Sequence, residues 1–88
     1  MPDALPEICS CLGLRMASRH LTQFYDLQMA PVGLTISQFS ILVRTRRHDG
    51  IRINALASDL SMDRTTMSRN LLPLEREGLL AVLPDPAH

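Results

Sequence analysis

Apolar positions recur at helical intervals through most of the chain, and the rhythm is clearest in two neighbouring stretches. Ile53, Leu56, Ala57 and Leu60 fall at i, i+3, i+4 and i+7, the stripe of a short amphipathic helix. Met67, Leu71 and Leu74 repeat that spacing on a second helix. Only Ser61-Met62-Asp63 separates the two, and helices joined by about three residues must cross steeply, as in a helix-turn-helix. Asp63 is placed to cap the second helix, its carboxylate accepting from the N–H of Thr65 or Thr66. Pro73 cannot donate to the Arg69 carbonyl, which predicts a bend. Gly78 then ends the helix in a left-handed conformation.

Upstream, Met1 to Leu5 reads as a short tail. Pro6 suits the first position of a helix that runs to about Met29 and is ended by Ala30-Pro31 and Gly33. Apolar residues occupy several sides of that helix. Ile8, Leu12 and Met16 form one row, and Leu14, Ala17, Leu21 and Phe24 another, with Tyr25 and Leu27 beside it. A helix apolar on more than one side needs more than one partner; in so small a chain, the second is expected to be another subunit. The next helix opens with Thr35-Ile36-Ser37-Gln38, where Thr35 and Gln38 can cap each other's free backbone N–H. Ile36, Phe39, Leu42 and Val43 are expected on its buried face. Arg44, Arg46 and Arg47 crowd its last turn, where cations offset the negative helix end; phosphate contact is the second reading. His48-Asp49-Gly50 closes it, and Ile51-Arg52-Ile53 can form a very short extended segment. Leu79 to Leu83 reads as a strand, stopped by Pro84-Asp85-Pro86 at the start of a hairpin turn whose returning strand is missing.

The helix after Asp63 has two distinct faces. Opposite Met67, Leu71 and Leu74 stand Arg64, Thr65, Ser68 and Arg69, with no large apolar residue before Leu72. Arg reads guanine edges or phosphate, and short polar side chains allow close approach, so this surface suits a DNA major groove. Composition sharpens that picture. The 88 residues make one small domain, burying about 60–65% of its unfolded surface. Three aromatics and no Trp argue against a stacking platform for single strands. All nine basic residues are Arg and they balance nine acids, so any polyanion must be held by local charge. The window from Arg44 to Asn70 holds six Arg against three Asp, an excess of three.

Other chemistry is sparse. No apolar run reaches membrane-spanning length and no charged-then-apolar leader precedes the domain, so a cytoplasmic chain is expected, with its two Cys as thiols. Cys9 and Cys11 flank Ser10, and helical residues two apart point about 200° from each other. Both are expected as small packed thiols, with Cys9→Ser and Cys11→Ser leaving DNA binding and its peroxide response unchanged. His20, His48 and His88 share no ligand spacing. Nothing matches a phosphate loop, a zinc-protease helix or a nucleophile elbow, so neither enzyme activity nor a metal or cofactor is expected. Arg15, Arg19, His20 and Tyr25 are candidates to hold a carboxylate or phenol in a pocket between the first helix and the helices that follow.

The sequence order carries a resemblance. A long first helix is followed by Leu34-Thr35-x-x-Gln38-Phe39 and Ala55-Leu56-Ala57. Then comes Asp63-Arg64-Thr65-Thr66-x-x-Arg69-Asn70-x-x-Pro73-Leu74-Glu75-x-x-Gly78-Leu79. Over nearly its whole length the chain resembles the multiple-antibiotic-resistance regulator (MarR) family of bacterial transcription factors. The resemblance implies a mainly α winged helix-turn-helix: a long N-terminal helix, three further helices, one short C-terminal strand and an incomplete wing. Residues 1–33 would form the tail and dimerisation-type helix and residues 34–88 the DNA-binding part, as one compact unit. It also implies a homodimeric repressor or activator of palindromic operators, often released by small aromatic acids or oxidants. Arg64, Thr65, Thr66, Ser68 and Arg69 would enter the major groove. Redox sensing through Cys9 or Cys11 is the family's alternative to packed thiols. Two departures stand out. Arg52 lies where the family often has a Ser or Thr cap, and the wing hairpin and last two helices are absent. The rival function is a truncated protein-interaction module that pairs with a full-length relative and blocks it.

Overall fold

The computed structural model describes residues 5–85, with side chains described from residue 9. Residues 1–4 of the expected tail, Pro86 of the expected turn, His88 and the side chain of Ile8 lie outside these limits. The chain divides into two compact units, Met1–Ile36 and Ser37–His88.

The first unit is dominated by α1, Leu5–Met29. It ends as the sequence predicts: a 3-10 turn, Ala30–Val32, carries Pro31 near its start, and the Gly33 N–H closes back on the Ala30 carbonyl at 3.0 Å. One bond was not anticipated. The Asp26 carboxylate accepts from the Ile36 N–H at 2.7 Å, satisfying an orphan donor at the next helix's first turn. None of α1's described side chains is fully buried, and Leu12, Leu14, Met16, Leu21, Phe24 and Leu27 are all exposed.

The second unit holds the core. It comprises α2 (Ile36–Arg47, whose first residue closes the first unit), α3 (Ile53–Asp59) and α4 (Arg64–Arg76). Its fully buried apolar residues are Ile41, Leu56, Ala57, Met67, Leu71 and Leu74. The α3 and α4 contributions follow the apolar stripes, with Ile53 and Leu60 half-buried at their margins. On α2 the expected face is displaced. Ile41 is wholly buried, Phe39 is exposed, and Ile36, Leu42 and Val43 are half-buried. Apolar residues spread widely around α2, so their spacing does not fix which edge of the arc is buried.

The link between α3 and α4 is a Schellman turn. The Ser61 N–H bonds the Ser58 carbonyl and the Met62 N–H bonds the Ala57 carbonyl, at 3.1 and 2.8 Å. The left-handed position is Ser61, at φ 53°, where glycine is usual because it has no Cβ to crowd the carbonyl. The α4 end repeats the motif with the expected residue. Gly78 sits at φ 72°, and Gly78 and Leu79 N–H bond the Glu75 and Leu74 carbonyls, both at 3.0 Å.

The expected strand needs correction. Residues 79–83 form no strand, and there is none among the described residues. A strand exists only as one side of a ladder, and the described chain offers this segment no partner strand. It is instead tied by side chains. The Val82 N–H donates to Glu75 Oε2 at 3.2 Å, and Asp85 Oδ2 pairs with Arg52 Nε at 2.8 Å. Arg52 occupies the α3 cap position in an extended conformation and makes no side-chain cap bond there.

Candidate nucleic-acid interface

The α4 helix is amphipathic enough to separate what it packs from what it presents. Met67, Leu71 and Leu74 lie within 8% exposure, each contributing about 1.5–3 kcal/mol by leaving water. Arg64, Thr65, Thr66, Ser68 and Arg69 are all exposed. Leu72, 60% exposed, follows on the outward side, and Asn70 is half-buried at the margin, its Nδ2 donating to the Thr66 carbonyl at 2.9 Å.

The N-terminus of α4 is held from outside the helix. Asp63 is the cap, in an extended conformation, with its Oδ1 accepting from the Thr66 N–H at 2.6 Å. That bond and a second from the Thr66 side chain hold the Asp63 carboxyl below its ordinary pKa, and the Arg69 charge adds a smaller pull against slight desolvation. The carboxylate also sits at the positive end of the helix dipole, where a negative charge is favoured. From α3, the Asn54 Oδ1 accepts from Arg64 Nη1 at 3.3 Å. Sequence spacing gave no sign of this link, which spans ten residues and the Schellman turn.

Further basic residues belong to the same unit. Arg46 and Arg47 are exposed and Arg44 half-buried at the end of α2. Arg52 is 68% exposed despite its pairing with Asp85, and exposed pairs of this kind contribute at most about 1 kcal/mol.

The weaker sequence candidates are all on α1. Arg15 and Arg19, four residues apart, line one shallow concavity along the helix with Ser10, Cys11, Leu14 and Ser18. His20 and Tyr25 do not line it. Both are exposed, and the Tyr25 ring stands edge-on to Phe24 at 5.4 Å. Cys9 and Cys11 are free and exposed, so the reading of two packed thiols is corrected. Among the described residues no group of His, Cys, Asp and Glu could hold a metal ion, and no helix is long and apolar enough to cross a membrane.

Comparison with known proteins bears on the same residues. The MarR family model matches residues 34–87. An uncharacterized HTH-type transcriptional regulator, YybA of Bacillus subtilis (strain 168), is 34% identical over 85 residues, which is 97% of this chain and 53% of YybA. The crystal structure of the M. tuberculosis transcriptional regulator MosR superposes with a TM-score of 0.80 at 40% identity, covering 86% of this chain and 58% of MosR. MosR in complex with DNA gives a TM-score of 0.78 at 37% identity, covering 89% and 56%. The chain thus spans a little over half the length of these relatives.

Proposed function

Because the chain belongs to the MarR family, we propose that it is a sequence-specific DNA-binding transcriptional regulator, a repressor that lays α4 in the major groove. The observation that carries the proposal is the separation of faces on α4. Its apolar side is sealed in the core, while Arg64, Thr65, Thr66, Ser68 and Arg69 stand exposed on a helix capped at both ends. Arg supplies two parallel donors that match a guanine edge or a phosphate, and Thr and Ser permit the helix to approach closely. Structural similarity to MosR, which has been crystallised with DNA, supports the same reading. Arg46, Arg47 and Arg52 would add phosphate contacts, since affinity for duplex DNA rests heavily on local positive charge.

The regulator works as a homodimer in the cytoplasm. Two recognition helices must stand about one DNA turn apart to read a palindromic operator, and the exposed apolar rows of α1, centred on Leu12 and Met16, provide the surface for self-association. A small aromatic acid that engages Arg15 and Arg19 would release the operator. Selection of duplexes from a random pool, followed by fluorescence anisotropy at several salt concentrations, tests the proposal. One enriched palindromic sequence, bound with a steep salt dependence, is expected. Failure to enrich any sequence would count against it.

The exposed apolar rows of α1 also favour a second reading, a protein-interaction module that pairs with a longer relative and blocks it. Under that reading selection fails, while mixing with the longer relative produces a hetero-complex in sedimentation.

A further inference from the structure

The Asn54–Arg64 contact has a consequence for recognition. Asn54 is exposed on α3 and adds nothing to the core, which takes Leu56 and Ala57 from that helix. Asn is also among the weaker helix formers, so neither packing nor propensity accounts for it. Its amide oxygen instead accepts from Arg64 Nη1 at 3.3 Å. Arg64 is the first residue of α4, where a cation sits at the unfavourable end of the helix dipole. Two helices, rather than one flexible side chain, therefore set where this guanidinium stands. The bond uses Nη1 and leaves the Nε–Nη2 edge open, the pair of parallel donors that grips a guanine or a phosphate.

We propose that Asn54 is a positioning residue for DNA recognition: it fixes the Arg64 guanidinium from α3 so that its open edge meets the major groove already oriented. The proposal rests on the reading of α4 as the recognition helix. An unconstrained Arg loses much of its rotamer freedom on binding, and a residue that restricts it beforehand lowers that cost. Asn54 then acts only through Arg64.

A double-mutant cycle on the full chain tests this, with duplexes selected on the unsubstituted protein and affinity read by anisotropy. Arg64→Ala is expected to weaken binding about tenfold or more, and Asn54→Ala about threefold, by restoring freedom to the Arg. In the Arg64→Ala background, Asn54→Ala should change affinity by less than about 1.5-fold, because the two residues are coupled. The melting midpoint of Asn54→Ala should match that of the unsubstituted chain, which separates orientation from loss of fold. Unchanged affinity for Asn54→Ala, or an undiminished threefold loss on top of Arg64→Ala, overturns the positioning role and leaves the recognition helix standing. If selection enriches no duplex at all, the recognition reading falls and this role with it.

Discussion

The first helix and the helix-turn-helix draw on the same apolar residue types, Leu, Met, Ile and Ala, yet differ in what they bury. Every fully buried side chain described belongs to the second unit: Ile41, Leu56, Ala57, Met67, Leu71 and Leu74. On α1, Leu12, Leu14, Met16, Leu21, Phe24 and Leu27 are 54–74% exposed. Apolar content therefore says little about where a core forms. What matters is phase: α3 and α4 concentrate their apolar residues on one stripe each, while α1 spreads them over several sides. A concentrated stripe can be covered by neighbours only a turn away in sequence, and a spread one cannot.

Substitution in the two regions should break or confirm this contrast, beginning with the core. Met67→Ala is expected to cost about 2–5 kcal/mol of stability, since Met67 is wholly buried and its removal leaves a cavity. Leu14→Ala, at a position 72% exposed, should stay within about 0.5 kcal/mol. Denaturant titration of both variants checks the pair, and equal losses would dissolve the contrast. The exposed rows of α1 carry their own expectation. Sedimentation at micromolar concentration should show a dimer, and Leu12→Asp with Met16→Asp should weaken it by at least about tenfold, since charge on an apolar interface core is strongly disfavoured. A stable monomer before substitution would remove the self-association proposal.

Smaller effects belong to the ends of the helices. Asp63→Ala removes the α4 cap and should lower the melting midpoint by several degrees. Because the folded state holds the Asp63 carboxyl low, its contribution is present above the unfolded carboxylate range, about pH 4, and is lost as pH falls through the lower folded value. Asp63→Asn keeps a capping oxygen while removing the charge, so its stability should decline less steeply in acid than that of the unsubstituted chain. Parallel acid profiles would contradict the link between cap and charge. The smallest effect is expected at Ser61, whose left-handed conformation is relieved by glycine. Ser61→Gly should stabilise by less than about 1 kcal/mol, the relief being partly offset by the greater freedom of glycine in the unfolded chain. A loss of stability would show that Ser61 is not strained.

These positions also mark how far the sequence could be read. The Asp63 cap, the Gly33 and Gly78 ends and the α3 and α4 stripes are local, each set by residues within a turn or two, and each was legible. The link at Ser61 was not, because a Schellman turn without glycine leaves no distinctive residue to find. Ile41 was missed because spacing on α2 leaves its phase undetermined. The segment over residues 79–83 has strand-like composition, but pairing depends on a partner that composition does not supply. The bonds from Asn54 to Arg64, Arg52 to Asp85 and Asp26 to Ile36 join residues ten or more positions apart, beyond the reach of helical periodicity. Of the proposed interface, the exposed run of Arg and short polar residues on α4 was legible as a pattern. The Asn54 bond to Arg64 was not.

The central claim is that the outward face of α4 reads DNA, and Arg69 tests it most directly. Arg69 is exposed, adds nothing to the core and takes no part in the Asn54–Arg64 bond, so its removal should spare the fold. Anisotropy with the selected duplex should show Arg69→Ala losing about 1–3 kcal/mol of affinity at an unchanged melting midpoint. Full affinity in the Arg69→Ala protein would contradict the assignment of this face to the major groove.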